Sequence, residues 1–215
     1  MKSSAGQASR VAIVPATTLI VVLSAARPSA EGQGTSADLP GSALKPGARL
    51  TYGSGGRDQP PWTIDSVHQG VSLGSRGGCT RISLRMRPDQ PSPTARVVCR
   101  GGDTLFTWNA AANAWRADRP LGAGMTLRVP QPSGTTLDYE TAALGDTTIS
   151  GHRLAFVRTT ILTRDAQGQV TRRLRERYSV ALATALGGIF EVPDSAAAGA
   201  WRESQRFELV RVEIP

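Results

Sequence analysis

The stretch from His152 to Leu182 constrains the fold of this chain more than any other part of the sequence. It consists of two long runs of polar and apolar residues joined by Asp165-Ala-Gln-Gly-Gln169. This linker suits a three-residue hairpin loop, because Gly168 tolerates the left-handed backbone conformation that such a loop requires. The pattern therefore predicts a long antiparallel ribbon, with the rest of a sheet built around it.

The loop also predicts the register of this ribbon. If Asp165 lies opposite Gln169, apolar residues of the first strand meet apolar residues of the second. The expected pairs are Phe156 with Tyr178, Leu154 with Val180, and Arg158 with Glu176. A slip by one residue would turn the apolar set of one strand to the wrong face. We therefore expect the four apolar members of these pairs to face the core or to line a groove.

Strand and turn signals continue through the rest of the sequence. Turn-forming stretches such as Pro130-Gln-Pro-Ser-Gly134 recur about every 8–12 residues, and no segment keeps a helical apolar period. One of the hairpins is expected to place Trp108 opposite Trp115. These features predict an all-β protein whose antiparallel sheet forms a half-barrel, a barrel or a sandwich, with a long late hairpin and little helix.

The N-terminal residues have the pattern of a secretory signal peptide. Lys2 and Arg10 supply positive charge, an uncharged apolar run extends from Val11 to Ala26, and small residues follow. The alternative is an uncleaved membrane anchor. This run is shorter than the roughly 20 residues that a spanning helix needs, and Pro15 interrupts it.

The sequence thus predicts three parts: a signal peptide at 1–26, a disordered linker at 27–47 and a single β domain at 48–215. The linker prediction follows from a run of Pro, Gly, Ser and Ala without any period. The mature chain is expected to start near Arg27 or Glu31. We expect an exported protein, periplasmic or secreted, with peripheral membrane contact at most.

The formal net charge is +8, and removal of the signal peptide with its two basic residues and no acid would leave +6. An exported protein rarely meets nucleic acid, so we do not expect nucleic acid as a partner. The excess of positive charge favours an acidic surface or polymer of the cell envelope.

Three arginines, Arg173, Arg175 and Arg177, alternate along the second strand of the ribbon and should share one face. One interpretation is a solvated face, or an edge whose charge prevents strand-to-strand aggregation. The other is a candidate anion-binding row for phosphate-bearing lipid or glycan, because arginine pairs well with phosphate.

The two cysteines, Cys79 and Cys99, lie on predicted strands that flank a proline-rich turn at residues 88–93. A symmetric hairpin would place them directly opposite each other. A structural disulfide there would add about 3 kcal/mol in the chain-entropy model, and it fits an exported protein. The spacing does not match a Cys-x-x-Cys redox pair, and two cysteines with two distant histidines are too few ligands for a metal site.

The sequence offers little support for catalysis. It contains no Gly-x-Ser-x-Gly elbow, no His-Glu-x-x-His motif and no Walker or dinucleotide-binding motif. His68 and His152 are most simply loop or strand-end residues. Asp138 and Glu140 share a strand face and are a candidate cation or acid–base pair. We expect no enzyme activity, no catalytic residues, no cofactor and no bound metal.

Several features together resemble a known class of proteins. They are the signal peptide, the antiparallel meander, the late ribbon ending in Arg177-Tyr-Ser179, and the closing run from Phe207 to Val212. In this pattern the chain resembles exported bacterial all-β half-barrels of the lipoprotein-carrier-like type. The resemblance implies a sheet folded around a lipid-binding groove that helices plug, although no segment here has the period of a plug helix.

Taken together, these features predict an exported, non-catalytic, β-rich binding protein of the cell envelope. Its expected ligand is a lipid or another apolar or anionic molecule, or else a partner protein. The alternatives are a structural or assembly component of the envelope and a hydrolase whose site assembles from distant residues.

Overall fold

The structure, a computed structural model, describes residues 39–197 and 199–215. Within them the chain is all-β, as the sequence predicts, and its antiparallel strands form one nearly closed, barrel-like sheet. The strands are β1 (Arg49–Ser54), β2 (Arg57–Asp58), β3 (Trp62–Leu73), β4 (Arg76–Arg85), β5 (Thr94–Gly101), β6 (Thr104–Asn109), β7 (Ala114–Pro120), β8 (Thr126–Pro130), β9 (Thr136–Ile149), β10 (His152–Arg164), β11 (Val170–Ser179), β12 (Thr184–Pro193) and β13 (Trp201–Glu213). No helix in these two ranges is long and apolar enough to cross a membrane.

The sheet is two meanders joined by the first and last strands. On one side of β1 the neighbouring strands are β3, β4, β5, β6 and β7, in that order. On the other side they are β13, β12, β11, β10, β9 and β8. The short strand β2 pairs only with β1. The two edge strands, β7 and β8, are consecutive in the chain, and a hydrogen bond from Arg116 Nη1 to Gln131 Oε1 at 2.9 Å links the two sides of this seam.

The ribbon is formed by β10 and β11, and its loop has the predicted geometry. The backbone N–H of Asp165 donates to the carbonyl of Gln169 at 3.0 Å, and Gly168 has a φ of +81°. The predicted register is nevertheless wrong beyond the loop. Thr163 pairs with Arg172, so that Thr171 is an extra residue in β11 and forms a β-bulge.

This bulge shifts all later pairs by one residue. Tyr178 lies opposite Val157 rather than Phe156, and Glu176 lies opposite Thr159. The predicted pairs of Phe156 with Tyr178 and of Arg158 with Glu176 are therefore wrong. Leu154 has no partner in β11, because the ladder ends at Val157.

Phe156 consequently lies on the same face of the ribbon as the arginine row. The guanidinium carbon of Arg177 is 5.7 Å from the centre of the Phe156 ring. Tyr178, Glu176 and Leu174 alternate with the arginines and lie on the opposite face, toward the inside of the sheet. A one-residue shift thus separates two aromatic residues that the sequence places together.

The segment before β1 is part of the folded domain. The backbone N–H groups of Gly41 and Ala43 donate to the carbonyls of Val180 and Ala181, and Leu44 is buried in the core. The predicted disordered linker at 27–47 is therefore corrected for residues 39–47, because Leu44 anchors a run that is otherwise rich in small residues. The predicted signal peptide at 1–26 lies outside the described residues.

The other two hairpin predictions are confirmed. Thr80 pairs with Val98 in the register that puts Cys79 opposite Cys99, and these cysteines form a disulfide with a Cα–Cα distance of 4.3 Å. Trp108 pairs with Trp115, with ring centres 5.2 Å apart.

Candidate ligand-binding groove

The sheet forks where the β10–β11 ladder ends. Beyond the pair of Val157 with Tyr178, the first residues of β10, from His152 to Phe156, pair only with β9. The chain after β11 is held instead by the segment before β1, at Val180 and Ala181. The start of β10 and the chain after β11 are thus the two branches of a fork. Side chains from both faces of the ribbon line the space between these branches.

A groove of about 510 Å³ lies in this fork. Its apolar side chains come from four parts of the chain: Phe156 and Val157 from β10, Val180 from the turn after β11, Leu144 from β9, and Leu121 from the segment after β7. The volume falls within the range of about 300–1,000 Å³ that is typical of small-ligand sites. The predominance of apolar side chains suits a hydrocarbon ligand.

Three of the four residues that the sequence predicts for a groove lie on this surface. They are Phe156, Tyr178 and Val180, although the first two reach it from opposite faces of the ribbon. Leu154 does not line the groove and is buried in the main core.

Arg100, at the end of β5, is the cation among the lining residues. Its Nε donates to the backbone carbonyl of Gly102 at 2.9 Å. The carboxylate of Asp103 lies 3.6 Å from its Nη2 and is largely exposed. Most of the N–H donors of this guanidinium therefore stay available, since an arginine carries five of them.

Two other polar side chains line the groove. Asp146 is held by Arg153, whose Nη2 lies 2.7 Å from its Oδ2. Tyr178 is only 3% exposed, and its hydroxyl makes no hydrogen bond within residues 39–197 and 199–215. The oxygen of this hydroxyl is not among the fully buried, unpartnered atoms of the described residues, which fits the place of Tyr178 in the groove lining.

A buried ion pair lies next to Tyr178 on the inside of the sheet. The Arg119 guanidinium packs over the Tyr178 ring, 3.8 Å from its centre, and donates to Glu176. It also donates to Asp118 at 3.2 Å. Burial alone would lower the pKa of Arg119, but the carboxylates of Glu176 and Asp118 raise it above its ordinary value. Glu176 is thus paired with Arg119 rather than with Arg158.

Arg96 contributes a second positive charge to the inside of the sheet. It lies opposite Ile82, a core residue, so its side chain is on the inner face of β5. Its Nε is buried and has no hydrogen-bond partner in the described part of the chain, and no ion pair there includes it. It is close enough to lower the pKa of both Tyr52 and Tyr178, against the stronger effect of their burial.

All three tyrosines of the chain are buried and have raised pKa values. Burial raises the pKa of Tyr52 and of Tyr139 to about 12, and it also raises the pKa of Tyr178. The neutral phenol is therefore strongly favoured in the folded protein.

A spectrophotometric titration should reveal these phenols. In denaturant they should ionise around the ordinary pKa of 10.0, whereas the native protein should show almost no phenolate absorbance there. Because the folded pKa is raised, this stabilisation is fully present below pH 10 and is lost as the pH rises toward 12. Coincident native and denatured curves would contradict the burial of the three side chains.

Two carboxylates on neighbouring strands pair with the three arginines of the candidate anion-binding row. Arg173 and Arg175 both bind the buried Glu191, at 2.6 Å and 2.9 Å, and Arg177 binds Glu208. The hydrogen bond from Arg173 lowers the pKa of Glu191, which keeps it ionised. Anion binding by this row remains a prediction, but the row offers less unpaired charge than the sequence suggests.

The candidate acid–base residues do not form acid–base pairs with one another. Asp65 accepts a hydrogen bond from Arg85 at 2.8 Å, and His68 lies opposite Arg81. Asp138 is bound by two arginines, and the hydrogen bond from Arg128 lowers its pKa. No group of three His, Cys, Asp or Glu in the described ranges is arranged to hold a metal.

His152 lies opposite Ile149 at the start of β10, and Asp146, the acid near it in the sequence, is bound by Arg153. Arg100, Leu121 and Leu144 carry no motif in the sequence, so their shared location at the groove depends on the tertiary fold. Arg96 carries no motif either, and only the pairing of β5 with β4 places it on the inner face.

No protein-family model, no curated protein and no solved structure matches this chain.

Proposed function

We propose that this chain is an exported binding protein of the cell envelope that holds an apolar or amphiphilic ligand, such as a lipid chain, in the groove at the fork. One observation carries the proposal: a groove of about 510 Å³ with mainly apolar walls lies between two separated strands. Export is supported by the buried disulfide, because disulfides persist in oxidising compartments.

The exposure of Leu144 also supports an apolar ligand. This side chain is 63% exposed, the largest exposure among the large hydrophobic residues of the described ranges, and it lines the groove. Its neighbours on the groove surface, Leu121, Phe156 and Val180, are apolar as well. A hydrocarbon chain in the groove would cover this surface and remove it from water, which is favourable at about 25 cal/mol per Å².

A groove-blocking variant tests the proposal. Ala155 is exposed and lines the groove, so Ala155→Trp should fill part of it while leaving the core intact. Binding of N-phenyl-1-naphthylamine, followed by its fluorescence, should weaken about tenfold, which corresponds to a loss of about 1.4 kcal/mol.

The matched control is Ala95→Trp, because Ala95 is also an exposed strand alanine but lies on β5, away from the groove lining. This variant should bind the probe as the parent does. Equal binding by the parent and Ala155→Trp would overturn the proposed groove, and equal losses in both variants would show that the probe does not report on it.

A further inference from the structure

We infer that the occupant of the groove is a single-chain amphiphile with an anionic oxygen-bearing head, and that Arg100 and Tyr178 bind that head. This inference rests on the proposed function, since it specifies the ligand of the same groove. It follows from the polar groups at the groove and from the volume.

The polar side chains of the groove include donors that no protein atom of the described ranges uses. Arg100 keeps N–H groups that no protein atom in the described residues uses, and Tyr178 has an unpartnered hydroxyl. The acid on this surface, Asp146, is already paired with Arg153. A ligand group that accepts several hydrogen bonds, such as a carboxylate or a phosphate, matches this set.

Near Tyr178 the inside of the sheet carries two guanidinium groups, of Arg96 and Arg119, and two carboxylates, of Glu176 and Asp118. Arg119 is balanced by Glu176 and Asp118, whereas Arg96 has no carboxylate partner in the described part of the chain. Its charge lowers the pKa of Tyr178, itself a groove-lining residue, against the larger effect of burial. Arg96 does not line the groove, so the head-group site depends on Arg100 and Tyr178.

Volume and shape favour one chain. The groove of about 510 Å³ lies in the lower half of the range for small-ligand sites. Arg100 comes from β5 and Leu121 from the segment after β7, whereas Phe156 and Val180 belong to the branches of the fork. A single hydrocarbon chain can lie along the apolar side chains while its head stays near Arg100.

The test compares three ligands of equal chain length, each used to displace N-phenyl-1-naphthylamine: dodecanoate, dodecyl phosphate and dodecanol. The parent should bind at least one of the two anionic ligands about tenfold more tightly than dodecanol, as expected for charge-assisted hydrogen bonds. A preference for the carboxylate or for the phosphate identifies the source of the head group.

Two substitutions assign the preference to residues. Arg100→Gln should abolish the preference for the anionic ligand over dodecanol. Tyr178→Phe keeps the ring beneath Arg119 and removes only the hydroxyl, so it should reduce anionic binding several-fold. The control is Arg81→Gln, since Arg81 is exposed and lines no part of the groove. It should keep the full preference.

Failure of this inference is distinguishable from failure of the proposed function. If all three ligands bind equally and Arg100→Gln changes nothing, the groove binds hydrocarbon and the inferred head-group site is overturned. If Arg81→Gln removes the preference as fully as Arg100→Gln does, general surface charge explains the preference and the site is also overturned. If no ligand displaces the probe, the proposed function falls and the inference falls with it.

Discussion

Replacing Glu176 by Ala should lower the free energy of unfolding by about 3–5 kcal/mol, because it would leave the buried guanidinium of Arg119 without its main counter-ion. Glu176 is 5% exposed and Arg119 packs between this carboxylate, Asp118 and the Tyr178 ring. Asp118 still binds Arg119 in this variant, but a buried charge that loses its main partner costs much more than the pair contributes. Denaturant unfolding monitored by fluorescence measures the change.

A second substitution separates the cost of an unpaired charge from the value of the pair. The double variant Arg119→Met/Glu176→Leu removes both charges of the main pair and should recover part of the lost stability, as expected when a buried ion pair is replaced by apolar residues. The recovery is partial because Asp118 then loses the hydrogen bond from Arg119. Glu140→Ala, at an exposed position on β9, is the control and should change stability by no more than about 0.5 kcal/mol. A loss at Glu176 as small as at Glu140 would contradict the buried pair.

The parts of the fold that the sequence predicts correctly depend on short-range signals. The loop around Gly168, the Trp108–Trp115 pair and the Cys79–Cys99 bridge all join residues that flank one turn. In each case the turn chemistry and the alternation of side chains define a single arrangement over a few residues. The all-β class follows from the repetition of these signals along the chain.

The register of the ribbon cannot be predicted from these short-range signals alone. The loop itself is predicted correctly, and one extra residue, Thr171, then reverses the faces of everything beyond it. The bulge is held by local contacts, including a hydrogen bond from the Thr171 hydroxyl to the Thr163 carbonyl at 3.3 Å. Val170-Thr-Arg-Arg-Leu174 contains no glycine or proline that would mark this position.

The groove could be predicted only in part for a related reason. Phe156, Tyr178 and Val180 belong to the same predicted ribbon. The alternation of apolar and polar residues along its strands is enough to predict them as core or groove residues. Arg100 and Leu121 reach the same surface from another part of the sheet. Periodicity assigns a residue to a face of its strand, but it does not say which distant strand faces it. Charged residues on the inner face, such as Glu176, conflict with the expectation that charges point outward.

Removing the disulfide should have the second-largest effect on stability. The bridge joins positions 20 residues apart, and in the chain-entropy model its loss should lower the free energy of unfolding by about 3 kcal/mol, within a range of about 2–4 kcal/mol. The variant Cys79→Ser/Cys99→Ser tests this by denaturant unfolding. Reduced wild-type protein is the matched comparison, because it lacks the bridge without adding two buried hydroxyls.

Loss of the bridge should weaken the domain without abolishing the groove. Most of the apolar lining comes from β9, β10 and the turn after β11, whereas the cysteines lie on β4 and β5. The variant should therefore still bind N-phenyl-1-naphthylamine at temperatures where it is folded. Cys99 directly precedes Arg100. Loss of the bridge should therefore reduce the preference for anionic ligands more than it reduces binding of the probe. Free thiols detected by alkylation and mass measurement in the native protein would contradict the bridge, and equal unfolding of oxidised and reduced protein would contradict its contribution to stability.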